Sequence, residues 1–362
     1  MPKSNDGGIG GAMNVNGYTI LDDKNANILG LQGGQAANLA SRIAPGKRLK
    51  SNVPKLKAAA KECPFKDKEI CMVARRRILR VLEEVLSYNL FTEEKERTAR
   101  RLEMYDACFE LGRACNQARN HEEAAKYLKK ARNGYEEELG RDSEKTLEVT
   151  LGYILCTTWN IDKDRVEKLT DLVKRAETSL GPEKVVTLGS LSQLGTCLHG
   201  NGNFKEAGKV WERCLAGQEA VLGKHHKDTL KTLNDLGNVN LGMKKHDEAL
   251  DYFKRAKKGW ESVLGKLSQK ALGLFMDIAI VYHTGTKEWE KAEVAYLECL
   301  NGYEETLGKD HQDTKNCAKN FANLVAYAAK KKPLQAIVER YPWLIHDQPL
   351  FHNVMNGTYT YP

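Results

Sequence analysis

Residues 191–214 read LSQLGTCLHGNGNFKEAGKVWERC and residues 233–256 read LNDLGNVNLGMKKHDEALDYFKRA, two strings that fall into register at an offset of 42. Each carries a Leu-Gly pair, a polar break, and then a segment of the form EAxxxYxxA with Trp211 or Phe253 in the aromatic place. A fixed offset calls for a search of the whole chain in the same phase, because a repeat array defines its architecture before any single element does. Leu-Gly pairs close charged segments at Gly140, Gly181, Gly223, Gly265 and Gly308, with spacings of 41, 42, 42 and 43 residues.

Other positions keep that phase. Six residues beyond each glycine lie Thr146, Thr187, Thr229, Ala271 and Thr314, and six before lie Gly134, Arg175, Gly217, Gly259 and Gly302. Sixteen before come Ala124, Ala207, Ala249 and Ala292; nine before come Ala131, Cys214, Ala256 and Cys299. Small side chains recur where two antiparallel helices joined by a short turn must approach closely, and large ones such as Tyr127, Trp211, Phe253 and Tyr296 are expected to fill the gaps between one hairpin and the next. Each repeat therefore predicts a helix opening after a capping threonine, a turn near Asn or Gly, a second helix, and a stop at a glycine able to take the left-handed conformation.

The strings LGRACNQARNHEEAAKYLKKA (111–131), LGTCLHGNGNFKEAGKVWERC (194–214) and LGNVNLGMKKHDEALDYFKRA (236–256) resemble the tetratricopeptide repeat. The links LGKHHKDT (222–229) and LGKDHQDT (307–314), with the 42-residue period, are similar to those of the kinesin-light-chain type. The resemblance implies an all-α fold, a right-handed α-α superhelix of helix-turn-helix repeats over residues 98–332, with five repeats and part of a sixth. It departs from the family pattern in lacking the link prolines and in placing Arg165 and Leu172 at usually small positions of the second repeat. Residues 61–97, with Ile78, Leu82, Val85, Leu86 and Leu90 on an amphipathic pattern, are expected to cap the array, and the pattern is too short for a coiled coil of several heptads.

Residues 1–60 are rich in Gly, Asn, Ala and Lys without a sustained period, which predicts an extended arm. Residues 333–362 are expected to supply a capping helix from Pro333 to Leu344 and an aromatic tail. The chain of 362 residues is 29% charged, with a net charge of +8 spread among mixed signs, so a solvated surface is expected rather than a nucleic-acid footprint. No stretch approaches a membrane span, the amino end lacks the apolar core of a secretory signal, and nine cysteines without a CxxC pair read as buried thiols; cytoplasm is the expected compartment.

Convergent catalytic residues are lacking. There is no phosphate loop, HExxH or GxSxG, and the string GGIGGAMNVNG reads as a flexible tail rather than a nucleotide fingerprint. His225 and His226 lack further metal ligands at suitable spacing, and Cys108 and Cys115 read as packing residues. The expectation is no catalytic, cofactor or metal site, and a protein that binds other proteins. The resemblance implies that the first helix of each repeat lines a concave groove. With the Leu-Gly glycine as reference, positions three before, one after and four after select Arg113 and Asn116 in the first repeat, Ser192, Thr196 and His199 in the third, and Asn234 and Asn238 in the fourth, with Lys231 a turn earlier. Ala322 as reference selects Lys319 and Asn323 in the sixth. The expected role is a scaffold or adaptor that receives an extended segment of a partner. The alternative is a fixed structural subunit of a large cytoskeletal or ciliary assembly, held by its arm and tail.

Overall fold

The computed structural model describes residues 13–15, 18–20, 76, 79, 83, 93–157, 163–327 and 331–344. The helices are α1 (Glu94–Gln117), α2 (His121–Leu139), α3 (Glu144–Thr157), α4 (Lys163–Leu180), α5 (Val185–Gly200), α6 (Phe204–Val221), α7 (Lys227–Gly242), α8 (His246–Leu264), α9 (Gln269–Ile280), α10 (Trp289–Leu307), α11 (Gln312–Tyr327) and α12 (Lys331–Arg340). They alternate as first and second helices of successive hairpins. The chain divides into two compact bodies, one of Met1–Asn160 with Lys174–Leu180, the other of Ile161–Val173 with Gly181–Pro362.

The links are built on one hydrogen bond that recurs. Thr146, Thr187 and Thr314 donate their hydroxyls to the carbonyls of Gly140, Gly181 and Gly308, each at 2.8 Å, and Thr229 does so to Gly223 at 2.9 Å. These threonines lie inside the first turn, so the expected threonine N-cap is corrected: the capping residue sits three positions earlier. His226 accepts from the amide of Asp228, and Ser268 from that of Ala271. In the fifth hairpin, where alanine replaces the threonine, Ser268 also donates to the Gly265 carbonyl at 2.8 Å and restores the missing bond. The glycines are corrected too. Gly265 has φ 90° and ψ 160°, and Gly140 and Gly308 are similar. This is the mirror-extended region, open essentially to glycine alone, rather than the left-handed helical one.

Inside a hairpin two points of close approach hold the helices together. In the fourth, a methyl at Gly237 would overlap the ring of Phe253, and one at Gly259 would overlap the side chain of Leu230. Phe253 thus packs within its own hairpin, as does Trp211 against Gly195, while Tyr296 also meets Phe321 of the next hairpin with ring centres 6.3 Å apart. In the first hairpin the matching residue is the buried Leu128 rather than Tyr127, which is only half-buried. The cysteines at the small position serve the same contact. Cys214 and Cys299 are fully buried and donate their thiols to the carbonyls of Leu188 and Leu272, both at 3.3 Å. Burial pushes the Cys214 thiol up to about 12, so it stays protonated and unreactive.

The positive-φ residues show where the period changes. From the hairpin turns at Arg119, Gly202, Lys244 and Lys287 to the next link glycine is 21 residues every time. From link to turn it is also 21 after Gly181 and Gly223, but 22 after Gly265. The extra residue is taken up as a π-helical segment, Val281–Thr286, that continues α9 and explains the 43-residue repeat. Three of these turns place a lysine or arginine at φ between 57° and 62°, with Asn120, Gly242 or Gly285 within two residues.

In the first body, Leu79 joins a core of Met104, Cys108, Leu111, Leu128, Tyr135, Val149 and Cys156 drawn from α1, α2 and α3. Arg76 grips Glu123 through two hydrogen bonds, at 3.0 and 2.6 Å. Leu172, flagged as oversized for its position, is buried at 1% exposure, and Arg165 is half-buried. In the second body, α12 packs Leu334, Ile337 and Val338 into the core formed by α10 and α11, with Tyr341 and Leu344 following it. Arg340 and Tyr341 both bond Glu304 on α10. A two-stranded antiparallel ribbon, β1 (Met13–Val15) and β2 (Tyr18–Ile20), pairs Val15 with Tyr18. Both strands lie within the expected amino-terminal arm, where Asn16-Gly17 in the sequence between Val15 and Tyr18 is a hairpin signal. The rest of the arm and the tail after Leu344 lie outside the described residues.

Candidate functional site

Each first helix has one side in the core and one side free of it. On α7, Leu230, Leu233, Leu236 and Val239 are buried, while Lys231 is exposed and Asn234, Asp235 and Asn238 keep partial exposure. At about 100° per residue the four polar side chains span an arc of roughly 100°. They form one stripe.

In the second body the stripe begins on α5. Thr196 donates its hydroxyl to the Ser192 carbonyl at 2.9 Å, and the indole of Trp211 donates to the same carbonyl at 3.3 Å. His199 stacks against Phe204 and Trp211, with ring centres 5.3 and 5.7 Å away. On α7 the side-chain oxygen Oδ1 of Asn234 and Oδ2 of Asp235 are buried without a hydrogen-bond partner. Burial raises the Asp235 carboxyl above the usual range, and Lys231 and His199 pull it partly back. Lys319 and Asn323 sit on α11, both half-buried.

The fifth hairpin contributes residues that the sequence left out. Met276, Asp277, Ile280 and His283 occupy, on α9 and the π segment, the places that Asn234, Asp235, Asn238 and Leu241 occupy one repeat earlier. Met276 and Ile280 are partly buried and pack on the core beneath. Burial alone pushes the Asp277 carboxyl up to about 6 and lowers the His283 imidazole. His283 lies 5.7 Å from the ring of Trp289 and 6.3 Å from that of Tyr296, repeating the His199 arrangement two hairpins on. With Ala279 as reference, the same register selects Met276, Ile280 and His283; Asp277, two residues before it, falls outside those positions.

In the first body Arg113 is exposed, over the ring of Phe109 at 5.6 Å and 3.5 Å from Glu110. Asn116 is engaged locally, its Oδ1 lying 2.8 Å from Nδ1 of His121. His226 is spent on its cap, and among the described residues no group of three His, Cys, Asp or Glu side chains could hold a metal ion. No helix among them is long and apolar enough to cross a membrane.

Family models of the tetratricopeptide repeat match residues 186–262, 274–313 and 105–131. Those three segments are tetratricopeptide repeats, and the 42-residue period and Leu-Gly links resemble the kinesin-light-chain type. Repeats of this class build protein-interaction scaffolds. A search of curated proteins returns no match. Among solved structures, the tetratricopeptide-repeat signal transduction ATPase with numerous domains from Pyrococcus horikoshii is 15% identical, with 86% of this chain and 47% of that one covered at a TM-score of 0.55. The apo form of RapI is 15% identical, with 81% and 72% covered at 0.50. A putative kinesin light chain with nearly identical repeats from Podosopora anserina is 16% identical, with 60% and 93% covered at 0.46.

Proposed function

We propose that this protein is a non-enzymatic cytoplasmic scaffold that holds an extended segment of a partner protein against the outward faces of α5, α7, α9 and α11. The supporting observation is the recurrence of hydrogen-bonding side chains at matched register, Asn234 with Asn238 and Lys319 with Asn323, on helices whose other side is committed to the core. An amide both donates and accepts, so a pair one turn apart suits the alternating groups of an extended backbone. In the first body, Arg113 and Asn116 on α1 are a separate proposed partner contact. No cofactor or metal enters this reading.

The test is quantitative binding to a partner that co-purifies with the chain. Asn234→Ala with Asn238→Ala should weaken binding by about tenfold or more without lowering the melting temperature, as loss of two backbone clamps would. Unchanged affinity would remove both residues from the site.

A second reading, a fixed subunit of a cytoskeletal or ciliary assembly, draws on the glycine-rich amino-terminal sequence and the aromatic carboxyl-terminal one. Stable retention in an insoluble cell fraction through high salt, abolished by removing residues 1–60, would favour it. Release of the full chain at modest salt as a lone elongated particle would dismiss it.

A further inference from the structure

The net charge of +8 would suggest an acidic partner, but α7 and α9 also place two carboxylates, Asp235 and Asp277, on the candidate face, with Lys231 a turn before the first. Asp235 and Asp277 stand at the same register in consecutive repeats, 42 residues apart, each two residues before the helix-crossing position held by Gly237 or Ala279. Neither carboxylate makes a salt bridge among the described residues. Lys231 and His199 are the charged or titratable groups that act on Asp235, and no charged group offsets the burial of Asp277.

One further acceptor, on Asn234, reinforces the pattern. Asn234 Oδ1 and Asp235 Oδ2 are shut from solvent with no donor, although both residues keep some exposed surface. A buried acceptor left unmatched is costly, and a donor brought by a ligand recovers that cost. Flanking Asp277 on the same side of α9, the partly buried Met276 and Ile280 offer an apolar rest. Acceptors, carboxylates and an apolar strip together match a chain that carries guanidinium or ammonium groups beside an aliphatic side chain.

We infer that the faces of α7 and α9 select an extended, basic partner segment, with Asp235 and Asp277 each receiving a cationic side chain and Met276 with Ile280 receiving the apolar residue between them. This rests on the scaffold reading above and names the partner's chemistry. First helices of neighbouring repeats run about 10 Å apart, and an extended chain advances about 3.3 Å per residue, so the two cations fall roughly three residues from each other. Arginine suits the carboxylates better than lysine, because its planar fork can bond both oxygens at once.

The experiment uses the full chain and three fluorescein-labelled octapeptides read by fluorescence anisotropy. One has the sequence Gly-Ser-Arg-Leu-Ser-Arg-Ser-Gly; the second carries citrulline, and the third glutamate, in both arginine places. The arginine probe should bind about tenfold tighter than the citrulline probe. Asp235→Asn combined with Asp277→Asn should bring the two to equal affinity, and rising salt should weaken only the arginine probe. A circular dichroism melt confirms that this isosteric double variant is folded. Asn238→Ala should weaken the arginine and citrulline probes alike.

Tighter binding of the glutamate probe, equal binding of all three, or an arginine preference that survives the double aspartate variant would overturn the inference. Loss of every probe with Asn238→Ala, in the absence of an arginine preference, would sink the basic partner while leaving the scaffold site standing. Arginine binding indifferent to both sets of changes, or no binding by any probe, would sink both.

Discussion

The hydroxyl of Thr229 donates to the carbonyl of Gly223 at 2.9 Å, tying the first turn of α7 to the link that precedes it. Both the threonine side chain and the link depend on this bond, since the glycine carbonyl follows a backbone that no other residue readily adopts. The same bond recurs at Thr146, Thr187 and Thr314. Thr229→Val keeps the shape and removes the donor, and should cost about 1 kcal/mol. Urea denaturation checks the loss; in the fifth hairpin, Ser268→Ala should show a similar one, because there the serine supplies the donor.

Backbone geometry separates two kinds of turn. Lys244 sits in the left-handed region at φ 60°, where glycine would be easier, so Lys244→Gly should leave stability unchanged or raise it by about 0.5–1 kcal/mol. Gly265, at φ 90° and ψ 160°, admits no substitute, and Gly265→Ala should cost about 1–3 kcal/mol even though no atom lies within 4 Å of the added methyl. Thermal melts of the two variants should therefore move apart, the first level or up and the second down.

The π segment Val281–Thr286 holds one residue more than its counterparts. Deleting the exposed Thr284 should let α9 continue as an ordinary helix of the 42-residue kind, with helical content and melting temperature nearly kept. Deleting Leu241 at the matched place of the fourth hairpin should disrupt the packing of Gly242 against Phe204 and lower the melting temperature by several degrees, roughly the response to a loss of 1–3 kcal/mol. Equal effects would mean that the segment is not an accommodated insertion.

Asp277 gives a pH dependence with a definite sign. Its ordinary value is 3.8 and burial lifts it to about 6, so between those pH values the folded chain holds the proton more tightly than the unfolded one. Its contribution to stability is complete below the unfolded value and is lost as pH rises through about 6. Asp277→Asn should therefore raise stability near neutral pH by about 1–3 kcal/mol and change little near pH 3.5. Denaturation midpoints across this range test the crossing; a variant less stable at neutral pH would contradict it.

Much of the architecture was legible because residues with no freedom mark its period. Link glycines need a backbone region closed to other residues, and Gly237 and Gly259 need room for Phe253 and Leu230, so the phase was written in positions that packing cannot exchange. Local capping was harder. The threonine six residues after each glycine was visible, but a hydroxyl that donates backwards and one that caps forwards leave the same sequence trace. The candidate face was legible where a Leu-Gly pair, or Ala322 in its place, was taken to mark the register. Asn234 and Asn238 are selected beside Gly237, whereas Met276, Ile280 and His283 hold the corresponding positions around Ala279, where the Leu-Gly pair is absent. Asp235 and Asp277 escape the selection for another reason: each stands two residues before the reference position, outside the three places the register uses.

The most direct test of the scaffold surface is site-specific photocrosslinking in the native cell, with the crosslinker at Asn238 on the first helix of the fourth hairpin or at the exposed Lys258 on its second helix. The surface argued above predicts a discrete partner adduct from position 238 that mass spectrometry maps to one extended segment, and none from position 258. The same adduct from 258 with nothing from 238 would place the partner on the opposite side and contradict the assignment.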